Sequence, residues 1–235
     1  EGETPLEALQ RARLEHAIAP DVPMTYAGRL DPMASGLLII LVGDECKHKD
    51  QYLGLDKVYD FEILVGFSTD TYDMLGLVEN TASTSVDDCG DFIKDALLSF
   101  VGPQAQTYPP FSSKTSGGVQ LFALAKQNNL PQDMPSHEVT IHSLDMRGTR
   151  MISKDELQKN TTLRIARVSG DFRQDVIMAK WNEVLSLLSL QEFTIISCTA
   201  SVSSGTYIRQ LVADISKKIN VPLVTYSITR TRIGE

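Results

Sequence analysis

From Lys57 to Phe67 the chain alternates apolar and polar residues, and this limits the possible folds more than any other stretch. Tyr59, Phe61, Ile63 and Val65 share one side and Asp60 and Glu62 the other, the period of two that marks a strand with one buried face. Phe193 to Val202 repeats the pattern through Ile196, Cys198, Ala200 and Val202. Thr140 to Met146 and Leu223 to Ile233 read as further strands. Two stripes have helical period instead. One is Phe92, Ile93, Ala96, Leu97, Phe100 and Val101, stopped by Gly102-Pro103; the other is Ile208, Leu211, Val212, Ile215 and Ile219. At 235 residues and 42% hydrophobic content, the chain is long enough for one large domain or two small ones with a substantial core.

Local signals punctuate these elements. Thr4-Pro5-Leu6-Glu7 predicts a capped helix running to about Ala17. A short helix is expected from about Val119 to Lys126. The polar segment from Arg147 to Gln191 carries one amphipathic helix near Val176 to Leu188, with Trp181 as packing. Asp31 stands between Gly28 and Gly36 and directly before Pro32, which leaves two readings open. It is the N-cap of a helix that starts at Pro32, or a carboxylate nucleophile on a loop that glycines let a ligand approach. Thr206 is expected to cap the helix after Gly205. That places Arg209 in the helix's first turn, where a cation opposes the dipole at about 0.3–1 kcal/mol. A nearby carboxylate or phosphate is the simplest reason for it to be there. Lys114 ends the rigid loop Pro109-Pro110-Phe111-Ser112-Ser113, as a solvated lysine or a phosphate contact.

Other classes are excluded or demoted. The longest apolar run, Leu37 to Val42, falls far short of the roughly 20 residues of a membrane helix. Cys46, Cys89 and Cys198 are far apart and read as reduced thiols of a cytoplasmic protein. The histidines His16, His48, His137 and His142 have no ligand partners at metal-site spacing, so no metal is expected. Asp70 and Asp73 read as turn residues rather than as the paired acids of a hydrolase. Net charge is −8, unlike a generic nucleic-acid binder. From Arg164 onward, however, nine Lys/Arg face six Asp/Glu, so a polyanion would favour the C-terminal third.

Five blocks in order resemble one family. Gly28-Arg29-Leu30-Asp31-Pro32 with Ala34-Ser35-Gly36 resembles the G-x-L-D-P-x-A-x-G motif of TruB-type tRNA pseudouridine synthases. Lys57-Val58-Tyr59 with Gly66 and Thr69-Asp70-Thr71 resembles the second block. Pro109-Pro110, Ser113, Lys114 and Gly117 resemble the third, and Gly205-Thr206-Tyr207-Ile208-Arg209 with Asp214 the fourth. Arg230-Thr231-Arg232-Ile233-Gly234 resembles the last.

The resemblance implies an α+β pseudouridine-synthase fold, a bent, mixed, mostly antiparallel sheet with flanking helices. It also implies isomerisation of the T-loop uridine of tRNA, position 55, without a cofactor. Carried over, Asp31 is the nucleophile, Tyr59 packs against the flipped base or acts as a base, and Arg209 pairs with Asp31. Ile228 lies beneath the uracil, and Lys57, Lys114, Thr206, Tyr207 and Arg230 contact substrate. Phosphate contacts are expected from Lys114, Lys217, Lys218, Arg230 and Arg232.

A single catalytic domain over residues 1–235 is expected, with a family-atypical insertion at about 147–191. Residues preceding Glu1 are expected, and the small C-terminal RNA-binding domain of bacterial members is not. The chain is expected to act as a monomer with tRNA as its partner. The position five before Asp31, histidine in the family, is Tyr26. A non-catalytic RNA-binding relative and a synthase acting on another RNA are the rival readings.

Overall fold

The computed structural model describes residues 1–82 and 90–234; Cys89 lies outside them. Helix α1 (Pro5–Glu15) forms as its sequence predicts. Thr4 Oγ1 accepts from the Glu7 amide at 3.2 Å, and the Glu7 carboxylate accepts from the Thr4 amide at 2.6 Å, satisfying two N–H groups that have no partner within the helix. Three short strands follow: β1 (Met24–Ala27), β2 (Ala34–Gly36) and β3 (Ile39–Val42). β1 pairs with β3, whereas β2 joins the main sheet.

Asp31-Pro32 therefore does not open a helix, which corrects the N-cap reading. The Ala34 amide donates to the Asp31 carbonyl at 2.9 Å, and the turn delivers the chain into β2. Pairing with a distant strand overrides the local cap signal.

After α2 (Lys49–Leu53) come β4 (Lys57–Val65), the hairpin of β5 (Phe67–Thr69) and β6 (Val78–Thr81), and α3 (Gly90–Ser99). Ile93, Ala96 and Leu97 carry the buried stripe of α3, while Phe92 is 71% exposed and so departs from the predicted face. Gly102-Pro103 ends the helix but also begins β7 (Gly102–Thr107), a strand that sequence reasoning missed. Pro103 is tolerated there because β7 is the last strand of the sheet and has one unpaired edge. The strand pair β8 (Thr115–Ser116) and β9 (Val119–Gln120) leads into α4 (Leu121–Lys126).

β10 (Ser136–Ser153) is far longer than the predicted Thr140–Met146. It is followed by α5 (Lys154–Ala166), α6 (Gln174–Leu187), β11 (Glu192–Val202), α7 (Ile208–Ile219) and β12 (Leu223–Ile233). The six-stranded sheet has the order β2-β12-β4-β11-β10-β7, with β2 parallel to β12 and the other pairings antiparallel. It is the mixed, mostly antiparallel sheet that the resemblance implies.

Both faces of the sheet are covered. On one, Phe61, Ile63, Ile196 and Cys198 pack against Leu211 and Ile215 of α7 and Leu97 of α3. On the other, Leu64, Phe67 and Phe193 pack against Trp181 of α6 and Leu157 and Ile165 of α5, with Trp181 5.4 Å from the Phe67 ring. The stretch 147–191 thus finishes β10 and then forms a two-helix arm whose apolar side packs on the sheet in one shared core. The expectation of one helix in a polar segment is corrected. α5 escaped notice because its buried positions, Leu157, Thr161 and Ile165, form a stripe only one residue wide.

Gly36 makes the β2–β12 contact possible. Its φ is +103°, and a Cβ there would lie 2.2 Å from the Arg230 carbonyl oxygen and 2.7 Å from its amide nitrogen. Backbone cannot retreat as a flexible side chain could. Gly36→Ala is expected to destabilise the protein by about 2 kcal/mol or more, read as a lower denaturation midpoint in urea. An unchanged midpoint would show that β2 is dispensable to the fold.

Candidate active site

Arg209 is the second residue of α7. The helix is capped by Tyr207, whose side chain makes no capping bond. Thr206, expected in that role, instead donates its hydroxyl to the Ser203 carbonyl at 2.9 Å. Gln106 of β7, a buried side chain not singled out in the sequence, clamps the Tyr207 backbone just ahead of the helix. Its Oε1 accepts from the Tyr207 amide at 2.8 Å, and its Nε2 donates to the Tyr207 carbonyl at 3.1 Å. Nothing local marks such a clamp, because its two ends are 101 residues apart.

The guanidinium of Arg209 meets Asp31 in a two-point pair. Nε donates to Oδ2 at 2.7 Å and Nη2 to Oδ1 at 3.0 Å. Nη1 donates to the Thr71 carbonyl at 2.6 Å, and Nη2 also reaches the Phe111 carbonyl at 3.3 Å. Asp73 Oδ2 lies 3.5 Å from Nε. Arg209 is 3% exposed and Asp31 31%, so the cation is sealed while the carboxylate opens to solvent. Burial alone would lower the Arg209 pKa; Asp31 and Asp73 outweigh it and raise it. These two carboxylates explain how a cation sits at the positive end of a helix dipole. Asp73 is fully buried, and desolvation raises its pKa against the opposing pull of Arg209.

The carboxylate of Asp31 faces a cleft of about 850 Å³, within the size range of sites that enclose small ligands. Tyr59, Lys57, Thr206, Tyr207 and Lys114 line it. Burial pushes the Tyr59 phenol upward, with Arg230 opposing. Burial, then Asp31, pushes Tyr207 up to about 12. Lys57 is buried and its pKa depressed by desolvation and then by Arg230. Its ammonium donates to the carbonyls of Leu53 and Leu55 and to Ser204 Oγ, which makes it a strut of the cleft floor.

Other assignments change. Arg230 is 1% exposed; its Nε donates to the Leu37 carbonyl at 2.8 Å and its Nη2 to the Gly28 carbonyl at 2.9 Å. It staples both ends of the loop that carries Asp31 and lines the cleft as a buried side chain rather than a surface cation. Ile228 packs in the core beside Ala34 and Phe61 and is not among the residues lining the cleft. Lys217 and Lys218 lie in the last turn of α7, about 12 Å along the axis from Arg209. Arg232 faces a separate depression with Arg147 and Thr199. Of the five expected phosphate contacts only Lys114 stands at the cleft mouth as an exposed cation, 5.2 Å from the Tyr108 ring. Arg29, Lys126 and Arg173, none proposed from sequence, line the same cleft.

The acids weighed as a hydrolase pair are divided between different arginines, Asp70 with Arg173 and Asp73 with Arg209. Among the described residues no group of three or more His, Cys, Asp or Glu side chains is placed to hold a metal ion. No helix among them is long and apolar enough to cross a membrane.

A family model described as TruB family pseudouridylate synthase (N terminal domain) matches residues 22–172. A protein of Deinococcus deserti named tRNA pseudouridine synthase B is 32% identical over 89% of this chain and 64% of its own length. One of the same name from Aquifex aeolicus is 29% identical over 89% of this chain and 58% of its own. The chain spans about three-fifths of the length of these curated relatives. Among solved structures, a Cbf5–Nop10–Gar1 complex matches all of this chain and 46% of its own with a TM-score of 0.56 at 14% identity. An H/ACA RNP bound to a substrate RNA containing 2'-deoxyuridine matches with a TM-score of 0.52 at 15% identity. These two likenesses concern the fold.

Proposed function

The chain belongs to the TruB family of pseudouridylate synthases, and from that premise we propose that it converts uridine to pseudouridine in tRNA, at the T-loop uridine. The observation that carries this reading is the two-point Arg209–Asp31 pair, with its carboxylate open to the cleft.

The reaction exchanges one glycosidic bond for another. The bond from C1′ to N1 of the uracil breaks, one from C1′ to C5 forms, and a proton leaves C5 while N1 gains one. No electrons are gained or lost overall, so no cofactor is called for. Asp31 is the nucleophile: its carboxylate adds to the nucleoside and is expelled again, which divides one difficult exchange into two easier steps. Arg209 fixes the direction of the carboxylate oxygens. Being sealed from water, it keeps its full electrostatic effect on the charge that develops there. The target base must be drawn out of its stack into the cleft, at a cost of a few kcal/mol. Tyr59, at the cleft wall, supplies a ring to pack against it.

Because burial raises the Tyr59 pKa, the phenol stays neutral at physiological pH and packs and donates rather than accepting protons as a tyrosinate. Between pH 6 and 9 the rate is expected to show no ionisation assignable to Tyr59, and Tyr59→Phe should slow turnover without altering the pH profile. A step present in the wild type and missing from Tyr59→Phe would return it to the role of base.

The direct test is incubation with unmodified tRNA transcript, followed by mapping of pseudouridine through carbodiimide-dependent reverse-transcription stops. One stop in the T loop is expected. Tight tRNA binding with no pseudouridine formed would make the chain a binding protein instead, and a stop elsewhere would change the substrate.

A further inference from the structure

Arg173 lines the cleft without a task in this mechanism. It ends the loop that joins α5 to α6. It starts α6 in a left-handed conformation, φ 65°, without a side-chain cap bond. Its Nη1 donates to Asp70 Oδ2 at 2.8 Å, and its guanidinium lies 4.5 Å from the centroid of the Phe111 ring. Neither partner is the reacting carboxylate. Yet both belong to the two stretches whose carbonyls hold Arg209. Thr71, which accepts from Nη1 of Arg209, follows Asp70 directly, and the Phe111 carbonyl accepts from Nη2.

The turn that carries Thr71 is anchored to β12, where the Thr225 amide donates to the Tyr72 carbonyl at 3.1 Å, rather than to the Phe111 stretch. Thr71 lies in the turn between β5 and β6, and Phe111 in the irregular chain between β7 and β8. No strand pairing links the two turns. The loop that carries Arg173 is itself firmly built: Gln174 Nε2 donates to the carbonyls of Val168 and Gly170. It also reaches the other half of the pair. The Ser169 amide donates to the Gly2 carbonyl at 3.0 Å, and the Gly2 amide to the carbonyl of Pro32 at 2.9 Å, one residue after Asp31.

We infer that Arg173 is a positioning residue, a latch from the α5–α6 arm that holds the Asp70–Thr71 turn and Phe111 at the separation from which their carbonyls aim Arg209 at Asp31. Its kinetic consequence rests on the reading of Asp31 as nucleophile; its structural consequence does not. The Arg173–Asp70 pair is partly exposed, 25% and 19%, so solvent screening leaves it little weight in overall stability. Geometry is what it supplies. The competing task for a cleft cation, gripping an RNA phosphate, is disfavoured by Asp70 against the guanidinium and by Asp171, whose carboxylate lies 3.5 Å from the Arg173 amide.

The test uses the full chain with Arg173→Met, Asp70→Asn and the double variant. Single-turnover rate on tRNA is expected to fall about 10-fold or more in each single variant, the scale of a small misplacement of reacting groups. RNA affinity and its salt dependence should stay unchanged. The double variant should be no slower than the singles, because both remove one latch. Independently of turnover, the Arg209 Nε–H, observed by NMR, should exchange with solvent about 10-fold faster in Arg173→Met. Unchanged exchange would overturn the inference. So would a loss confined to affinity with a salt slope flatter by roughly 0.7, the mark of a lost phosphate contact. Should the wild type form no pseudouridine, the proposed function fails by itself, and the exchange rate still decides the latch.

Discussion

Asp31→Asn is expected to abolish pseudouridine formation, by about 10⁴-fold or more, while the protein stays folded and still binds tRNA. The magnitude is that of losing a covalent nucleophile rather than an accessory contact. The change is nearly isosteric. The amide oxygen can still accept from Arg209 Nη2, now 3.0 Å from Oδ1, but the amide nitrogen meets the Nε–H that Oδ2 now accepts. Arg209 keeps Asp73 as a counter-charge and the Thr71 and Phe111 carbonyls as acceptors, so the buried cation is not stranded. The deciding data are single-turnover rates at saturating enzyme, with affinity and melting temperature measured alongside. An Asn variant within tenfold of wild type would mean that the carboxylate only shapes the cleft.

Arg209→Met is expected to be the most destabilising single change at the site, by about 3–5 kcal/mol. Methionine fills the space but supplies no donor. It leaves the buried Asp73 with only the Thr71 hydroxyl and the Leu75 amide as donors and no counter-charge, and it removes the partners of two carbonyls. For a protein of this size that loss should lower the melting temperature by roughly 6–20 °C. The sign of the pH effect follows from Asp73, whose folded-state pKa is already raised by desolvation. An acid shifted that way costs stability once pH exceeds its unfolded value, and the cost is relieved as pH falls through the folded value. Without Arg209 the shift grows. The deficit of Arg209→Met relative to wild type should therefore narrow as pH falls from 7 towards the ordinary carboxylate range, and adding Asp73→Asn should recover part of it. A deficit independent of pH, with no recovery from Asp73→Asn, would show that the stranded carboxylate is not the source.

The two kinds of sequence signal had different fates. Patterns that depend on neighbours a few residues away held: the alternation through β4 and β11, the capping box at Thr4 and Glu7, and the stripe of α7. Cap signals that had to compete with a distant partner did not. Asp31 lost its helix to the pairing of β2 with β12, and Thr206 left the cap position to Tyr207, whose backbone Gln106 clamps. The resemblance made Arg230 and Lys57 contacts for substrate, and both line the cleft. Here each is buried and answers to backbone carbonyls. α5 went unread because a helix that shows its neighbours only one narrow stripe looks polar in sequence.

By itself the sequence determined α1, β4, β11 and α7, the apolar faces of β4 and α7, and part of the site, including an arginine whose place in its helix demanded an acid. The resemblance paired it with Asp31; only the tertiary structure supplied the geometry of that pair and the second acid, Asp73. Asp31 and Arg209 stand 178 residues apart, and Asp73, Thr71, Phe111 and Arg173 complete the arrangement from three further segments. Spacing rules reach one or two turns of helix or the next residue across a strand. A buried charge, by contrast, must find its partners wherever the folded chain brings them, because water is no longer there to take their place.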